Sequence, residues 1–237
     1  MVDTRGKRHL DKELSRLRSM LIEMSELVDE QVAGAIDAVA NCDVDLARKV
    51  RERDDEVDAY ELKVDQQCER ILALFTPVAV DLRLIISAVK VNTDLERIGD
   101  HAKNLAKNTQ HLGGASDLIK RTQIREMADE ARKVLHEAQD AFIKQDRMLA
   151  RQVLAHDRQI DRMHRETFVT LAKLIQERPE SASELVHLVN MSKSVERIAD
   201  HAKNIAELVV FLVEGVDIRH SGLQEVMAEK VADSHDD

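Results

Sequence analysis

Apolar residues recur in steps of three and four along most of the chain, the spacing that places them on one face of an α-helix. Between Pro77 and Gly113 the row is Leu84, Ala88, Val91, Leu95, Ile98, Ala102 and Leu105, in steps of 4, 3, 4, 3, 4 and 3. A second row follows Pro179: Leu188, Met191, Val195, Ile198, Ala202, Ile205, Val209 and Leu212. Such a seam predicts a helix packed at a shallow angle along its neighbours in a bundle. Chain-breakers punctuate the pattern. Thr76-Pro77 ends one segment and opens another, Gly113-Gly114 stops the helix so begun, and Pro179 repeats the role of Pro77. Ser181 and Glu184 form a capping-box pattern for the last long helix, and Gly215 lies just past its apolar end. Softer breaks near Asn41–Asp45 and Gln145-Asp146 complete a set of six helices, most of them ~25–35 residues or roughly 40–50 Å long.

The two seams differ by 100 at every shared position from 88/188 to 105/205, and nine of twelve residues are identical between Leu95–Ala106 and Val195–Ala206. The preceding helices match at an offset of 103, through Val50/Val153, Val57/Ile160, Val64/Thr167 and Ile71/Leu174. The first and fourth helices agree more weakly, through Leu21/Ile124 and Met24/Met127. The chain is an internal duplication of a three-helix unit. Residues 8–113 and 114–215 are read as its copies and 216–237 as a polar C-terminal tail. The expected fold is all-α, two tandem three-helix bundles set end to end, each running up-down-up; one fused six-helix layer is the alternative.

Composition agrees with helices. Only 7 Gly and 2 Pro occur in 237 residues, against 43% hydrophobic and 34% charged residues, which argues against sandwiches, doubly wound sheets and disorder. Acidic residues outnumber basic ones 45 to 35. With a net charge of -10 and no Trp, the chain is poorly suited to nucleic acid. Cys42 and Cys68 read as small apolar residues of a reducing compartment. No signal peptide is visible in the polar start, Met1 to His9, and Leu84–Val89 and Leu208–Val213 are too short to span a bilayer. These features predict a cytoplasmic protein. Leu208–Val213, apolar around the whole helix, is the expected contact surface.

The duplication repeats carboxylates as well. Glu96-Arg97-Ile98-Gly99-Asp100-His101 recurs as Glu196-Arg197-Ile198-Ala199-Asp200-His201, and the helices before them carry Asp54/Asp58 and Asp157/Asp161. Like charges four apart share a helix face and cost ~0.2–0.5 kcal/mol a pair. If the two helices of a copy lie side by side, four carboxylates converge and can hold a hard or borderline cation such as Mg²⁺, Mn²⁺ or Fe. His101 and His201, or Asn104 and Asn204, are candidates to complete or orient that shell. The plainer expectation is a solvated acidic face neutralised by Arg53, Arg97 and Arg197. An enzyme is disfavoured. Glu184-x-x-His187 and Asp161-x-x-His164 have no counterpart in the first copy, and no phosphate loop or nucleophile motif occurs.

Pro77-Val78-Ala79-Val80-Asp81-Leu82-Arg83, Asp94-Leu95-Glu96-Arg97-Ile98-Gly99-Asp100-His101-Ala102 and Glu196-Arg197-Ile198-Ala199-Asp200-His201-Ala202 resemble the PhoU family of phosphate-uptake regulators, over about residues 8–215. The resemblance implies a cytoplasmic, commonly homodimeric negative regulator of phosphate-starvation signalling. Its implied partners are the ATPase of the phosphate ABC transporter and a sensor histidine kinase, with any membrane association made only through them. It also implies surface metal (Fe, Mn, Mg or Zn, divalent or ferric) at Asp54, Asp58, Glu96 and Asp100, and at Asp157, Asp161, Glu196 and Asp200. A carboxylate-bridged iron storage protein or oxidase is the alternative from another class. One departure stands out: the second copy has no counterpart of Asp81-Leu82-Arg83 before its last helix, so the halves are expected to differ in partners.

Overall fold

The protein is described by a computed structural model covering residues 4–113 and 116–219. Helices α1 (Thr4–Asn41), α2 (Val44–Glu52), α3 (Asp54–Leu74) and α4 (Val80–Thr109) form the first unit. A short α5 (Ser116–Lys120) leads to α6 (Ile124–Lys144), α7 (Arg147–Glu177) and α8 (Ala182–Glu214) of the second. Among the described residues there is no strand.

Every residue of both heptad seams is buried. In the first unit α1, α3 and α4 pack against one another; in the second, α6, α7 and α8 do. The duplication extends to the turns. Cys42 and Gln145 both adopt the left-handed conformation, at φ 51 and 53, and each is followed by an aspartate that caps the next helix. Asp43 accepts from the Leu46 N–H at 2.9 Å, and Asp146 from those of Met148 and Leu149 at 2.9 and 3.1 Å. A carboxylate there satisfies amide groups that a helix start leaves unbonded.

The structure departs from the sequence pattern at several points, the short α5 being a helix beyond the six expected. The second rod of the first unit is broken at Arg53, where three acids (Asp54, Asp55 and Glu56) fill the first turn of α3 and favour a fresh helix start. Ser181 makes no capping bond with its side chain; Pro179–Ser181 form a 3₁₀ turn instead. Pro77 lies in the loop ahead of α4 rather than in its first turn. The units lie side by side, not end to end. Helix α4 runs antiparallel along α8, from Arg83, whose Nε donates to the Leu212 carbonyl at 3.4 Å, to Asn108, beside His187.

That arrangement corrects the contact surface expected at Leu208–Val213. Leu208, Val209, Val210 and Leu212 are at most 2% exposed, because α8 packs on α4, α6 and α7 at once and needs apolar residues on all those sides. The part of the tail beyond residue 219 lies outside the described residues. Gly215 ends α8 as expected, at φ 75.

Cys68 is buried and burial pushes its thiol up to about 12, whereas Cys42 is half-buried. The thiolate is the nucleophile, so Cys68 is expected to resist alkylation in the folded protein and to react fully only in denaturant. Mass spectrometry after timed iodoacetamide treatment checks this; equal labelling of both cysteines in the native state would contradict it.

Candidate metal centres at the two carboxylate clusters

Helix α3 lies against α4, and α7 against α8, so the helices that carry each motif pair lie side by side. In the second copy the convergence is tight. Among the described residues, Asp161, Glu196 and Asp200 are the group that brings one carboxylate oxygen each within 4.8 Å of the others. The side chain of Asp157, their expected fourth partner, lies outside the described residues. Opposing the three charges are Lys193, 2.6 Å from Glu196, and Arg197, 3.0 Å from Asp200 and 3.6 Å from Glu196. His164 is next to the trio but its Nδ1 bonds the Ser192 hydroxyl at 2.8 Å. Burial holds it below the usual histidine range, the Lys193 charge adding to this while Glu196 and Asp161 oppose it.

The first copy is arranged otherwise. Asp54 is almost fully buried, 2% exposed, and its carboxylate accepts from Gln31 Nε2 at 3.1 Å and from the Lys103 ammonium. Lys103 thus sits where a metal would have to reach Asp54. Asp58, Glu96 and Asp100 remain around it, joined by Glu61, which the sequence pattern did not single out. Burial raises the Asp58 carboxyl above its usual range, as do Asp54 and Asp100. Glu61 is raised by burial and then by Asp65. Glu96 is pushed up to about 7 by burial and by Asp100, with Arg97 opposing.

A solvated acidic face is therefore only half right. The side chains of Glu96 and Glu196 are 15% and 14% exposed, because α3 and α7 cover that face. Arg97 does neutralise its neighbours, 3.3 Å from both Glu96 and Asp100, but Arg53 turns away to Glu30 at 2.6 Å. His201 and Asn204 do not complete a shell. Both are bonded to Asp94 of α4, at 2.8 and 3.1 Å. His101 stacks on His201, ring centroids 5.6 Å apart, and is depressed to about 4 by burial and by His201.

Three half-buried carboxylates offering oxygens at such separations fit a hard or borderline cation: Mg²⁺, Mn²⁺ or iron by preference, and Zn²⁺ by its acceptance of carboxylate oxygen. The second copy fits that role through Asp161, Glu196 and Asp200. In the first, Lys103 already supplies a positive charge. Lys103→Met should leave Asp54 buried with Gln31 alone and cost about 2 kcal/mol, less than a fully buried pair because Lys103 is 40% exposed. Denaturant melts of the variant and the parent check this, and equal midpoints would contradict it.

Two side-by-side copies of a three-helix unit, each with a carboxylate seam, define a duplicated all-α helical-bundle protein. The PhoU domain family model matches residues 21–109 and 124–209, once per copy. The chain is 40% identical over 218 residues to a phosphate-specific transport system accessory protein PhoU homolog of Pseudomonas putida, covering 92% of this chain and 85% of that one. A homolog from Aquifex aeolicus is 33% identical, covering 91% and 98%. Crystal structures of PhoU from Pseudomonas aeruginosa and of the phosphate transport system regulatory protein PhoU from Streptococcus pneumoniae both superpose with a TM-score of 0.81. They are 38% and 27% identical, cover 87% and 88% of this chain, and are themselves 99% covered. The chain belongs to the PhoU family.

Proposed function

We propose that this protein regulates phosphate uptake and restrains phosphate-starvation signalling, as a cytoplasmic helical adaptor. On this reading it acts by binding, not by catalysis, contacting the ATPase subunit of the phosphate ABC transporter and a sensor histidine kinase, most simply as a homodimer. The observation that carries it is the family match in both copies, together with relatives named as accessory proteins of phosphate-specific transport. No described helix is long and apolar enough to cross a membrane, which is consistent with reaching the transporter through partners. A metal ion at Asp161, Glu196 and Asp200 would supply positive charge that holds α7 to α8. The chain's own residues then set its position: Lys193 and Arg197 bind the same carboxylates and compete with it.

The iron-enzyme alternative gains nothing from the site. His164 and His187, the histidines of the unmatched motifs, bond Ser192 and Asn108 and not the carboxylate trio. Affinity purification of the protein from phosphate-replete and phosphate-starved cells tests the adaptor reading. The transporter ATPase and the histidine kinase should co-purify in high phosphate; recovery of neither under either condition would overturn it.

A further inference from the structure

Because α4 and α8 are copies of one helix packed antiparallel, each position on one side of their crossing has a counterpart position on the other. His101 and His201 mark the crossing, stacked on each other. On one side lies a groove of about 330 Å³ lined in part by Asp94 and Asn204, and on the other a groove of about 450 Å³ lined in part by His101, Asn104, Lys107, Lys193, Ser194 and Arg197. In the first groove one carboxylate oxygen, Oδ1 of Asp94, accepts from His201 Nδ1 at 2.8 Å and from Asn204 Nδ2 at 3.1 Å. It closes the gap between the two helices with a bridging negative oxygen.

The second groove keeps the donors and lacks the acceptor. His101 and Asn104 are the counterparts of His201 and Asn204, while the counterpart of Asp94 is Ser194. The Ser194 hydroxyl is turned back to the Asn190 carbonyl at 3.1 Å. Other exchanges move the charge the same way: Lys193 stands for Thr93, and Lys107 for Glu207, with Asn190 for Lys90 partly offsetting them. Lys193 and Arg197 are tied along α8 to Glu196 and Asp200, but Lys107 has no carboxylate partner among the described residues. In a protein of net charge -10, this groove is lined without a single carboxylate.

We propose that this second groove binds a phosphate-type oxyanion, one oxygen of which takes the place between His101 and Asn104 that the Asp94 carboxylate fills between His201 and Asn204. Asn104 donates from its amide, His101 from its ring nitrogen, and Lys107 supplies charge without first having to break an internal pair. The donors and the Lys107 charge fit an oxyanion; the choice of phosphate among oxyanions rests on the regulatory reading above.

Replacing Ser194 by aspartate tests this directly, because it installs the carboxylate that the first groove already carries. Titration calorimetry of the full chain uses two probes, inorganic phosphate and phenyl phosphate, to separate the free ion from a phosphoryl group on an ester. Wild type should bind one or both at millimolar concentration or below, Ser194→Asp should bind at least about tenfold more weakly, and Lys107→Ala and Asn104→Ala should each weaken binding. Both of the latter sit at exposed positions, so the test survives a folding defect in Ser194→Asp. Absence of binding by wild type, or wild-type binding by Lys107→Ala and Asn104→Ala together, overturns the proposal. The titration needs only purified protein, so its result stands apart from any failure of the regulatory reading in cells.

Discussion

Replacing Glu196 and Asp200 together by alanine should strip the protein of most of the metal proposed for it, while Glu96→Ala with Asp100→Ala should remove far less. The difference follows from geometry that the two copies do not share. Asp161, Glu196 and Asp200 bring their oxygens within 4.8 Å of one another, so the double variant removes two of the three carboxylates that converge there, and a hard cation needs several oxygen ligands. In the first copy Asp54 is engaged by Lys103 and Gln31, and among the described residues Asp58, Glu61, Glu96 and Asp100 do not bring their oxygens as close together as the second trio does. Elemental analysis of untagged protein, with circular dichroism as a control for helicity, reads the outcome. Equal loss from the two double variants would contradict the assignment, as would metal content unchanged in the Glu196/Asp200 variant.

Leu95→Ala should lower stability by about 3 kcal/mol and the melting temperature by ~10 °C. Leu95 is fully buried in the seam of α4, which packs on α1, α3 and α8, so its truncation leaves a cavity in the core. Leu62→Ala is the matched control. Leu62 is 62% exposed on α3, so the same change there should cost no more than about 0.5 kcal/mol. Thermal and denaturant melts of the pair decide the matter; similar losses at both positions would mean that the seam is not the core.

The seams were legible because burial along a helix repeats with its turn, and a linear sequence carries that period openly. Duplication was legible for a related reason: paired positions such as Leu105 and Ile205 keep their apolar character in both copies. The same comparison carried the carboxylate motifs, and the helices that bear them do lie together. What the pattern could not carry was how the copies meet. Leu208–Val213 reads equally well as a free sticky surface or as a packed helix, and only the packing of α8 on α4, α6 and α7 decides that Leu208, Val209, Val210 and Leu212 are enclosed while Val213 stays exposed.

Side-chain pairing across helices was similarly hidden. Lys103 is one turn beyond Asp100 on α4, and nothing in its spacing says that it crosses to Asp54 on α3. Gln31, on α1, completes that pairing from still farther along the chain. Glu61 was missed because its counterpart is His164, so it left no repeated motif to notice. The contrast between Asp94 and Ser194 was visible in the sequence from the start, but it acquired meaning only once α4 and α8 were seen to cross as antiparallel partners.

The regulatory claim is tested most directly by deleting the gene and following a phosphate-starvation reporter in cells grown with abundant phosphate. Derepression in the deletion strain, reversed by the intact gene, is the expected result. A reporter that stays silent in the deletion strain would contradict it.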